Sequence, residues 1–178
     1  NLPLPIYIIV AIATVVQSIA IVTLVGALHQ QKFLQQIQSS FIKFLFRFLV
    51  VAIVVKYALQ LGSTIPAISQ FAFGFRSIVI AYLHLVLLAI ISVSIVCFLF
   101  LNNIIIENKS AKKAVTFLCI AIFLNELVLC LQGVGSVSYI VVPYANETLL
   151  GIALLLFAAI SWVFVSQKYN SVLNNNLP

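Results

Sequence analysis

Charge is what this sequence has least of. Of its 178 residues, 7% are Asp, Glu, Lys or Arg, where a soluble domain carries about 25%. Hydrophobic residues make up 64%. A soluble fold of this size leaves much of its surface in water and could not enclose so large an apolar load. That excludes a soluble enzyme, a secreted disulfide module and a disordered tail. Cysteine is scarce as well: Cys97, Cys119 and Cys130 are an odd set, each inside an apolar run. Free thiols are expected, with no disulfide framework. Methionine is absent, so Asn1 is expected to follow processing or an upstream segment, and Asn1–Pro5 lacks the basic start of a signal peptide. P-loops, H-E-x-x-H helices and nucleophile elbows are missing from the sequence. An enzyme is therefore the lesser expectation, with no catalytic or metal-ligating set to name.

What the chain does have is long apolar runs. About 20 such residues cross a bilayer as a helix, and five stretches qualify, at about 6–28, 44–61, 77–101, 114–131 and 149–165. Pro3 and Pro5 suit the start of the first, and Gly62 punctuates the end of the second. The runs are continuous, unlike the alternating segments of a membrane barrel. The fold expected is an all-α integral membrane protein, a helical bundle of five transmembrane helices. It would form one domain over 1–169, followed by a polar tail over 170–178, and would belong to a larger helix set.

Nine Lys+Arg against three Asp+Glu give a net charge of +6. In a soluble chain that excess would point to nucleic acid, but no basic stripe with interleaved aromatics exists and no nucleic-acid partner is expected. The cations instead crowd alternate links: Lys32, Lys43 and Arg47, then Lys109, Lys112 and Lys113, then Lys168. The positive-inside rule puts these links in the cytoplasm and the amino end outside, in a bacterial inner membrane or an equivalent one. The partners implied are the lipid bilayer and other membrane subunits or upstream helices. Residues 30–42 place Phe33, Leu34, Ile37 and Phe41 on one helical face and glutamines on the others, the pattern of an amphipathic interfacial helix. A polar loop is the alternative. Tyr139 and Tyr144 suit the outer aromatic belt, and Trp162 and Tyr169 the inner one.

Ionisable groups inside apolar spans are functional candidates by default. Lys56 shares a face of the second run with Gln60, one turn on. Asn125 and Glu126 lie in the fourth run, and both charges fall in its outer half or that of the second. A Lys56–Glu126 ion pair fixing helix packing is the leading reading; an ion or proton path and a snorkelling Lys56 are the alternatives. Arg76 stands at the start of the third run. His84 lies within that run, on a stripe with Ser77, Ala81, Leu88 and Ser92 suited to inward packing. Only one other histidine, His29, exists, at the opposite membrane surface in this topology, so His84 reads first as a buried hydrogen-bonding residue.

The segment from Phe73 to Ala89, carried by Arg76, Tyr82 and His84, resembles a helix of haem–copper oxidase subunit I and of related nitric-oxide-response membrane proteins. That resemblance implies haem as a cofactor, with His84 the position onto which a ligand role transfers. The leading functional expectation is a structural or accessory membrane subunit, or half-module, of a larger assembly. One alternative is half of a secondary transporter or ion pathway, with Lys56, Gln60, Asn125 and Glu126 lining a cavity. Another is a redox protein with haem on His84.

Overall fold

A computed structural model describes residues 4–30, 37–64 and 75–175. Among them every regular element is helical: α1 (Leu4–Gln30), α2 (Ser40–Gly62), α3 (Arg76–Leu101), α4 (Lys109–Val137) and α5 (Ala145–Asn175). Each of the five apolar runs is a helix; four extend at least two residues beyond the run, while the third gains only Arg76. Three helices are long and apolar enough to cross a membrane, namely Arg76–Leu101, Lys109–Val137 and Ala145–Gln167. In α1 the stretch Ile12–Ala27 is a shorter apolar helix, and α2 carries Lys43, Arg47 and Lys56 along its 23 residues.

The helices fall into two compact units, Asn1–Gly74 and Phe75–Pro178. The first holds α1 and α2. Ser39, in an extended conformation, caps α2 by accepting a hydrogen bond from the Ile42 amide at 3.4 Å, one of the donors a helix start leaves open. Of the interfacial helix expected over 30–42, residues 31–36 lie outside the described residues, 37–39 are not helical, and from Ser40 onward the chain belongs to α2.

The second unit is built around α4. Its buried residues include Ala111, Ala114, Leu118, Ile122, Asn125, Leu129 and Gly133, a three-to-four spacing that keeps one face turned inward. Small residues on that face let neighbouring backbones approach closely; a Cβ on Gly133 would touch Ile78 Cγ1 at 3.4 Å. Both neighbours run antiparallel to α4. Ser77 at the start of α3 bonds Ser136 near the end of α4 at 2.9 Å. At the opposite end the Trp162 indole N–H of α5 donates to Ser110 Oγ at 3.0 Å. Within α3, residues Leu85–Ser92 wind as π-helix. Its wider turn brings residues four apart near the same line, and Leu85, Ala89, Val93 and Cys97 are all buried.

Candidate functional site

The polar residues singled out in the spans separate into two clusters, one in each unit. In the first unit Gln60 is the hub. Its Oε1 accepts from Lys56 Nζ at 2.5 Å, and its Nε2 donates to Gln17 Oε1 at 2.7 Å and to Thr14 Oγ1 at 3.3 Å. The amide's three described partners thus lie on α1 or back along α2. The Lys56 ammonium also lies 4.1 Å from the centroid of the Tyr57 ring, a cation–π distance. Thr14 is 1% exposed. Sequence reasoning passed over Thr14 and Gln17, although two polar residues three apart on an otherwise apolar helix are the signal that could have found them.

The second unit holds Asn125, Glu126 and His84. Asn125 is 6% exposed, and its Nδ2 donates to Glu126 Oε1 at 3.4 Å. His84 lies on α3 and Glu126 on the neighbouring α4. His84 Nδ1 lies 2.9 Å from the carbonyl oxygen of Ile80. Arg76 is exposed at the first turn of α3.

A third constellation lies where the Lys-rich link meets α5. Asn108 caps α4 by accepting from the Ala111 amide at 2.6 Å, and its Nδ2 donates to the Ser166 carbonyl at 3.3 Å. Gln167 grips the Ile106 backbone from both sides, its Oε1 accepting from the amide at 2.9 Å and its Nε2 donating to the carbonyl at 3.3 Å. Lys112 pairs with Glu107 at 2.8 Å. At the other end of the unit, Tyr139 and Tyr144 adopt left-handed backbone angles, φ 55° and 56°, uncommon for a bulky side chain. Their rings are 89% and 77% exposed, and Tyr139 meets Phe75 edge-on at 6.1 Å.

Cys97 and Cys119 are buried and Cys130 is exposed, all as free thiols. Among the described residues no group of three His, Cys, Asp or Glu side chains could hold a metal ion, and no buried side-chain nitrogen or oxygen lacks a hydrogen-bond partner. No family model, no curated protein and no solved structure matches this chain.

Proposed function

We propose that this chain is an integral membrane helical module, a structural or accessory subunit of a larger assembly, with its Lys-rich links on the cytoplasmic side. The observation that carries this reading is how its polar and apolar groups divide. Buried polar atoms are satisfied among the described residues, while Leu150, Leu154, Phe157 and Phe164 of α5 lie open to the outside. In water such a face would be a liability; against lipid or a neighbouring helix it is ordinary. Gln60 bonds Thr14 and Gln17 of α1 while accepting from Lys56 of its own helix, which supports a packing role for it over an open substrate path.

The test has two parts. In native membranes the chain should resist alkaline carbonate extraction and, in mild detergent, migrate as a complex well above 19.6 kDa with stoichiometric partners. Extraction into the soluble fraction would remove the membrane reading. A lone protomer that drives ion flux in liposomes, with flux lost in Glu126→Gln, would replace the accessory role with transport. A Soret band that disappears in His84→Ala would install the haem reading instead.

A further inference from the structure

The second unit gathers its cations at the end where α4 begins. Asn108 Nδ2 donates to the Ser166 carbonyl at 3.3 Å, and the Trp162 indole N–H donates to Ser110 Oγ at 3.0 Å. The first turn of α4 therefore lies beside the last apolar turn of α5. There Phe164 and Val165 are exposed just before Ser166, and Ile104 and Ile106 of the preceding link are exposed as well. Lysines at this level stand where an apolar surface ends, the depth at which a bilayer carries its headgroups.

The lysines there are not equivalent. Lys112 is paired with Glu107 at 2.8 Å. Lys109 and Lys113 are exposed, and among the described residues neither has an ion-pair partner. One turn apart, they share a face of α4, and like charges at that spacing repel. No acidic side chain is near enough to offset them. Glu107 is taken by Lys112. Glu126 is four turns further along α4, about 20 Å at 1.5 Å per residue, and Glu147 lies in the first turn of α5, at its opposite end. A lysine stem can lie along apolar surface while its ammonium reaches for water and headgroups, so both ammonium groups can turn to one anion.

We propose that Lys109 and Lys113 bind the headgroup phosphate of an anionic phospholipid at the edge of the apolar surface. The assignment rests on this chain being the integral membrane module proposed for it. A zwitterionic headgroup brings its own cation and leaves the two lysines without net compensation, whereas an anionic one supplies an uncompensated negative charge. The exposed apolar residues around the link and α5 favour an anion that carries acyl chains over one free in solution. Each lysine near an anionic lipid surface is worth about fivefold in affinity.

The experiment uses Trp162, the one tryptophan of the chain, as a reporter beside the two lysines. The full chain is placed in phosphatidylcholine vesicles containing a fraction of lipid brominated near the headgroup end of its acyl chains, either phosphatidylglycerol or phosphatidylcholine. Bromine quenches tryptophan on close approach. At equal fraction and low salt, the brominated phosphatidylglycerol should quench more, corresponding to a preference of about fivefold or more. The combined variant Lys109→Gln, Lys113→Gln should bring the two quenching curves together. So should about 1 M salt on the unsubstituted protein, where charge is screened beyond about 3 Å; this arm decides if the variant lacks native circular dichroism. A preference that survives both the substitutions and the salt overturns the proposal. Millimolar glycerol phosphate that abolishes the preference would assign the lysines to a soluble anion and overturn it too. Equal quenching by both lipids removes the proposal and leaves the membrane reading standing, whereas no quenching by either removes the membrane reading as well.

Discussion

Replacing Gln60 with Leu isolates the α1–α2 contact, because Leu keeps the side chain's bulk and removes its amide. Two bonds to α1 are lost, to Gln17 at 2.7 Å and to Thr14 at 3.3 Å. Side-chain hydrogen bonds between membrane helices average about 0.6 kcal/mol each, so this pair contributes about 1.2 kcal/mol. Lys56 also loses its acceptor. A bond to a charged group is worth about 1.5 kcal/mol at the lower end of its range, the appropriate end here because a flexible lysine can reach other acceptors. The expected total is about 2.7 kcal/mol, nearly two powers of ten in the folding equilibrium at about 1.4 kcal/mol per tenfold change. Unfolding in mixed micelles with rising dodecyl sulfate, followed by circular dichroism, measures the loss. A double-mutant cycle with Gln17→Leu then isolates the interhelical bond, with an expected coupling of about 0.6 kcal/mol. Additive effects, or a Gln60→Leu protein as stable as the parent, would refute the hub.

Three further outcomes follow from the second unit. Gly135→Ala should lower thermal stability by about 1–3 kcal/mol, since its Cβ would lie 2.8 Å from Val142 Cγ2 and 2.9 Å from the Ile140 carbonyl oxygen; Trp162 fluorescence reports the transition, and an unchanged midpoint would contradict the packing. Asn108→Ala removes the α4 cap and should cost about 1 kcal/mol, while Asn108→Asp should retain most of it; equal losses in the two variants would show that capping is not the cause. Gln167→Leu should leave the Ile106 amide unprotected, read as faster hydrogen exchange at that position with α4 unaltered. Exchange that stays slow there would count against the clamp.

The five helices were legible because composition and period state them directly: continuous apolar runs bounded by Gly62, by the lysine-rich links and by the link after Val137. Their ends were less legible. Caps such as Ser39 and Asn108 act through side-chain geometry, and that geometry carried α2 and α4 several residues past the apolar runs. Lys56, Gln60, His84, Asn125 and Glu126 were also found readily, since a lone polar residue stands out in an apolar run. Pairing was harder. Charge alone matched Lys56 with Glu126; the partners described for them are Gln60 and Tyr57 for the lysine and Asn125 for the glutamate.

By itself, then, the sequence determined the helical class, the position of each apolar run and the short set of polar residues within them. These depend on local properties: transfer of apolar side chains, helical period and the rarity of charge. Only the tertiary structure decided which polar groups meet, because a contact across helices depends on register and rotation, and neighbours in space are distant in sequence. The Thr14–Gln60 bond spans 46 residues and the Ser77–Ser136 bond 59.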